Sequence, residues 1–189
     1  MKRICIMALL PLLILTGCTT ISSCEQEDIS ELRDPITLTF LAIDSESPEK
    51  IDSETEVILC AENPSPFTLE ADTQGSYNIL QEGQQVGWIF LIQDNEGTYF
   101  KKCQTLGDNA FVGEITDLSD QIGKECVRNT IFYPDDKNTG EPSKVITDFY
   151  IVKIGSYSLK IQASEIPIEE ADAFQENFLP FFKTISIQE

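Results

Sequence analysis

From Ile36 onward the chain is written as short β-forming runs separated by turn residues, and that punctuation limits the folds open to it. Ile36–Ile43 alternates apolar and polar residues and is followed by an acidic loop containing Pro48. Thr55–Ala61 forms a second run, ended by Asn63-Pro64-Ser65-Pro66. Phe67–Ala71 and Tyr77–Leu80 are shorter runs, and Val86–Gln93 is the most apolar one. Asp94-Asn95-Glu96-Gly97 reads as a turn, with the glycine supplying positive φ, and Thr98–Cys103 as the returning strand of a hairpin. Thr130–Tyr133 is a further strand, Pro134–Pro142 a solvent loop, and Val145–Ile154 and Ser156–Ala163 pair across Gly155.

Two stretches break the β pattern. Residues 104–128 read as an insertion in which Asp117 caps a short helix, with Leu118, Ile122 and Cys126 on one face. Pro167 suits the first turn of a second helix, whose buried face carries Ala171, Phe174 and Phe178. Pro180 is expected to stop that helix, leaving Phe181–Gln188 as a last strand. Roughly eight or nine short strands without regular β-α alternation predict a mainly β, antiparallel sandwich over residues 36–189, with one or two short helices.

The N-terminus has a different character. Lys2-Arg3 precedes an apolar run from Ile4 to Leu15, broken by Pro11. The run is shorter than the ~20 residues a membrane-crossing helix needs, but fits the ~7–15-residue apolar region of a secretory signal. It ends in Leu15-Thr16-Gly17-Cys18. This layout resembles a bacterial lipoprotein signal. The resemblance implies a signal peptide over 1–17 and lipidation of Cys18, which becomes the mature N-terminus. Ile21-Ser22-Ser23-Cys24 spells a second lipobox, but lies behind polar Thr19 and Thr20 and ranks below the first. Residues 18–35 then read as the anchor and a flexible acidic tether. The acidic run from Glu25 is similar to surface-export signals of some Bacteroidetes-type lipoproteins. Thr19, where an aspartate would favour the inner membrane, implies an outer-membrane location.

Charge and composition exclude several functions. Removing the first 17 of 189 residues leaves 172, enough for one domain with a real core. The leader takes two basic residues and no acids, so the mature net charge is −21 instead of −19. Such a charge repels nucleic acid and anionic lipid headgroups, so attachment to a membrane has to come from the acyl chains. The chain has no histidine, which removes the commonest general base and the commonest zinc ligand. No cofactor or metal-ligand set is read from the sequence.

Four cysteines remain beyond the leader and anchor: Cys24, Cys60, Cys103 and Cys126. In an exported chain they allow up to two disulfides, in three pairings. Cys60 shares a strand face with Ile58, opposite Val57, Leu59 and Ala61, so it is expected to point away from the core. Cys103 and Cys126 bracket the insertion and are candidates for a staple worth ~3 kcal/mol in the chain-entropy model; free buried thiols are the alternative.

Gly155-Ser156-Tyr157-Ser158-Leu159-Lys160-Ile161 is similar to the late strand of immunoglobulin-like domains, with Leu159 where that family keeps its second cysteine. Val57–Ala61 before Asn63-Pro64-Ser65, and Trp88–Ile92 before Asp94 and Gly97, also resemble bacterial Ig-like modules. This resemblance implies an Ig-like sandwich. A second, weaker one covers only Phe178–Ser186, which looks like the last helix of PsbP/Mog1-like α+β proteins.

Few residues suggest chemistry. The acidic loops Asp44–Glu56 and Asp135–Glu141 lack the spaced ligands of an EF-hand. Glu169-Glu170 is a carboxylate pair of the kind an acid/base hydrolase uses, but 32 acids make such pairs common. Trp88 and the Phe174/Phe178 stripe read as core. The sequence thus points to a non-enzymatic, lipid-anchored binding or structural module of the cell envelope. Its partners are the membrane, through the lipid, and an envelope or extracellular protein. The rival function is a protease inhibitor acting through the Pro134–Pro142 loop.

Overall fold

A computed structural model describes residues 34–44, 56–105, 113–133 and 144–188. The expected signal peptide, lipidation site and most of the tether, together with most of the Asp44–Glu56 loop and the Pro134–Pro142 loop, lie outside the described residues.

The fold is mainly β, with antiparallel sheets arranged as a sandwich. In the smaller sheet, β1 (Pro35–Leu41) pairs with β3 (Glu56–Glu62) along its whole length, from Pro35↔Glu62 to Leu41↔Glu56. The short β11 (Ser186–Ile187) adds to the other side of β3. The larger sheet runs β4 (Thr68–Ala71), β5 (Tyr77–Gln81), β6 (Gln84–Gln93), β10 (Tyr157–Pro167), β9 (Val145–Ile154), β8 (Cys126–Phe132) and β7 (Gly113–Asp117). The two-residue β2 (Ile43–Asp44) pairs in parallel with the end of β6. Three helices accompany the sheets: α1 (Thr98–Cys103), α2 (Ser119–Ile122) and α3 (Ala171–Thr184), the last preceded by a 3-10 turn at Ile168–Glu170.

Alternation decides which side chains meet in the core. Leu38 and Phe40 from β1 and Val57, Leu59 and Ala61 from β3 face Ile79, Ile89, Leu91, Tyr150, Leu159 and Ile161 of the larger sheet in one continuous cluster. Phe40 and Tyr77 join the two layers with ring centroids 4.9 Å apart. Between β6 and β10 the backbones approach so closely that a Cβ on Gly87 would lie 2.1 Å from the Gln162 carbonyl oxygen. Only glycine fits there.

Helix α3 fills the rest of this core. Ala171, Phe174, Phe178, Phe181 and Phe182 recur at three- and four-residue spacing and are all buried. Phe178 lies at the centre of an aromatic cluster, with centroids 4.7 Å from Phe174, 5.2 Å from Phe67, 5.7 Å from Phe181 and 5.8 Å from Phe182. Tyr150 on β9 meets Phe182 at 5.3 Å.

Pro180 does not end the helix; α3 continues to Thr184, and only Ser186–Ile187 forms a strand beyond it. Stopping at Pro180 would pull Phe181 and Phe182, both fully buried, out of the core, and that burial outweighs the ~3 kcal/mol cost of an internal proline. The end of the helix is also well satisfied. Ile185 N–H donates to the Phe181 carbonyl at 2.9 Å, and Lys124 Nζ donates to the Phe182 carbonyl at 3.2 Å and to that of Lys183. Thr98–Cys103 is a helix, not the partner of β6, which instead pairs with β5 and β10. Residues 104–128 are not simply inserted. Leu118 and Ile122 reach the main core from α2 and its start, but β7 and β8 extend the larger sheet, and Cys126 belongs to β8. Trp88 is not core: it is half-buried on the outer face of the larger sheet, opposite Gln162 and Asn78.

Because Phe178 touches four other rings and is fully buried, Phe178→Ala should cost about 3–5 kcal/mol, read as a lower urea midpoint at unchanged m.

Candidate functional site

Among the described residues the two most deeply buried charges are carboxylates, and each organises a cluster beside an open cleft. Asp94 follows β6 and opens a turn in which Gly97, at φ 67°, donates to the Asp94 carbonyl at 3.1 Å. Its Oδ1 accepts the Tyr99 amide at 3.0 Å, and its Oδ2 accepts the Phe100 amide at 3.1 Å and the Ser158 hydroxyl at 2.8 Å. Lys153 Nζ stands 3.3 Å from Oδ2 and also donates to the Asp94 carbonyl. The carboxylate thus holds the first amides of α1 and turns the chain into a helix where a strand was predicted. α1 lies on the outer face of the larger sheet, where Phe100 packs on Val127 and Ile151. Burial by itself would raise the Asp94 pKa. The Ser158 hydroxyl, the Phe100 and Tyr99 amides and Lys153 outweigh it and bring the group down from 3.8 to about 2.

Asp148 projects from β9 toward the core side and is fully buried. Arg128 on β8 donates to its Oδ2 from Nε at 3.1 Å and Nη2 at 2.7 Å. Thr130 Oγ donates to Oδ1 at 2.6 Å and the Tyr150 hydroxyl to Oδ2 at 3.2 Å. The remaining nitrogen, Nη1, reaches across to α3, bonding Gln175 at 2.9 Å and lying 3.5 Å from Asp172. Arg128 therefore bridges sheet and helix as well as neutralising Asp148. Beside it opens a cleft of about 310 Å³ between the core side of β7–β8 and the start of α3, with Glu114, Thr116, Phe132 and Ile168 on its walls. A second cleft, of about 320 Å³, lies over the Asp94 turn between Asp44, Glu96 and Lys102.

In both clusters every oxygen of the buried carboxylate is already bonded by structural donors. Such groups pin elements in place. Glu169 and Glu170, the carboxylate pair noted in the sequence, are both exposed on the turn before α3.

The cysteines divide by side. Cys60 points away from the core as expected, with its sulfur 3.9 Å from Thr37 Oγ1 and 3.6 Å from Gln188 Oε1. Cys103 ends α1 on the outer face, packed with Tyr99 and Phe149, while Cys126 points into the main core on the other side of β8. Cys60, Cys103 and Cys126 are free thiols, so the Cys103–Cys126 staple is not formed. The helix that replaces the predicted strand carries Cys103 onto the opposite face from its expected partner. Cys18 and Cys24 lie outside the described residues, as does the Pro134–Pro142 loop, although β8 and β9, which flank it, are paired up to Phe132↔Ile146.

Sequence reasoning missed Asp94 and Asp148 as organising groups. Asp94 reads as an ordinary turn residue before Gly97. Asp148 was the visible signal: a lone carboxylate inside the apolar run Val145–Ile154. No protein-family model, curated protein or solved structure matches the chain.

Two outcomes follow from these geometries. Asp94 has a lowered folded-state pKa, so its stabilisation is fully present above about 4 and is lost as pH falls toward 2. Asp94→Asn should lower stability at neutral pH and flatten that acid limb, as read by urea midpoints across the range. Burial pushes the Cys126 thiol up to about 12, so native alkylation should modify Cys60 readily and Cys126 only on unfolding, as mapped by mass spectrometry.

Proposed function

We propose that the protein is a lipid-anchored module of the cell envelope that binds or holds another protein and carries out no catalysis of its own. The observation that carries this reading is the Lys2-Arg3 start, the apolar run to Leu15 and the lipobox Leu15-Thr16-Gly17-Cys18. The described fold begins at Asp34, leaving an acidic stretch between it and Cys18 that suits a tether. The strongly acidic balance supports attachment through acyl chains and not through headgroup charge. The saturated hydrogen bonding of Asp94 and Asp148 supports a holding role for the domain. The resemblance to bacterial Ig-like modules supports a binding one.

Metabolic labelling with an alkyne fatty acid tests the anchor. The wild-type chain should take up label, Cys24→Ser should keep it, and Cys18→Ser should lose it. Label persisting in Cys18→Ser would overturn the assignment.

A further inference from the structure

β7 is the last strand of the larger sheet, and its outer edge is open among the described residues. Two hydrogen bonds fix which of its backbone groups point outward. Leu118 N–H donates to the Cys126 carbonyl at 2.9 Å, in register with Thr116↔Arg128 and Glu114↔Thr130. Lys153 N–H donates to the Glu125 carbonyl at 2.9 Å, so the odd-numbered residues of β8 bond β9 and the even-numbered ones bond β7. Antiparallel alternation then turns the amides and carbonyls of Gly113, Ile115 and Asp117 away from the sheet. Unpaired groups of this kind are a template for an added strand.

The side chains next to that edge select by charge. Glu114 and Thr116 line the 310 Å³ cleft, with Phe132 and Ile168 as its apolar part. Ile168 is 44% exposed, one of the few large apolar side chains so open to solvent among the described residues. Across the cleft Asp172 has a side chain 91% exposed, and Glu169 and Glu170 stand beside it. Arg128 also reaches the cleft, but its charge is matched by buried Asp148. Lys144, exposed at the β9 end, is outnumbered by these acids.

We propose that the β7 edge and its cleft bind an extended, basic segment of another protein by strand addition. Main-chain bonds form to Gly113, Ile115 and Asp117. Alternate side chains of the added strand fall on the cleft side, where Lys or Arg meets Glu114 and Asp172 while its aliphatic stem covers Phe132 and Ile168. This names a partner class for the binding role proposed above, and it is independent of the lipid anchor.

The test uses the full chain carrying Cys18→Ser and a fluorescent (Lys-Thr)4 peptide, read by anisotropy. Binding should weaken with salt and exceed that of (Glu-Thr)4 by about tenfold or more. Glu114→Lys should weaken it comparably, whereas Glu70→Lys on the opposite edge strand β4 should not. Ile115→Pro removes an outward amide without touching the bonds to β8, and should also weaken binding. If that variant does not fold, the same peptide with N-methyl groups on alternate residues reads the main-chain bonds and should bind poorly. No binding of (Lys-Thr)4, equal binding of the N-methylated peptide, or equal loss in Glu70→Lys would overturn the proposal. Each of those results leaves the fatty-acid labelling outcome unaffected, so the two readings fail separately.

Discussion

The structure depends on the aromatic face of α3 entering the space between the two sheets. The smaller sheet has only one long strand pair and the two-residue β11, too little to cover one face of the larger sheet by itself. Phe174, Phe178, Phe181 and Phe182 supply the missing apolar volume, and Phe67 and Tyr150 contact them from the loop after β3 and from β9. Offset and edge-on ring contacts add to the area they bury. The helix is held at its other end as well: Thr184 Oγ1 accepts the Glu62 amide at 2.8 Å, tying α3 to β3.

Around that apolar centre, buried charge fixes register and direction. Asp148 would be costly in the core without partners, and Arg128, Thr130 and Tyr150 meet its oxygens. Arg128 then uses its last nitrogen to locate the start of α3 through Gln175. Asp94 does the same on the outer face, joining β6, β9, β10 and α1 through amide, hydroxyl and ammonium donors. Breaking one partner leaves a charge without its counterpart, so these clusters tolerate substitution less than the surface does.

The surface is governed by acid. Repulsion among like charges keeps such a chain soluble and discourages association with anionic polymers. It also gives the β7 edge and its cleft a definite sign, since Glu114 and Asp172 line the cleft and Glu169 and Glu170, both exposed, precede Asp172 in the chain. An exposed edge invites pairing, and charge decides with what.

Much of the β content was readable because period-2 alternation is a local property. Val57, Leu59 and Ala61 inside with Cys60 outside, the β9–β10 pair across Gly155, and the helical face of Ala171, Phe174 and Phe178 all follow from spacing along the chain. Where the sequence failed, a contact distant in the chain prevailed over a local signal. Pro180 is a local stop, overridden by the burial of Phe181 and Phe182, the latter against Tyr150 of β9. Thr98–Cys103 carries β-forming residues, overridden by a buried carboxylate whose Ser158 and Lys153 partners come from other strands. The pairing order of the strands, the faces on which Cys103 and Cys126 lie, and the open edge of β7 were decided only in three dimensions, because strand neighbours are chosen by packing over the whole core. By itself the sequence determined the basic, then apolar character of the N-terminus, the charge, the absence of histidine and the β period; the tertiary structure decided which polar groups came together and that β7 stands at a sheet edge.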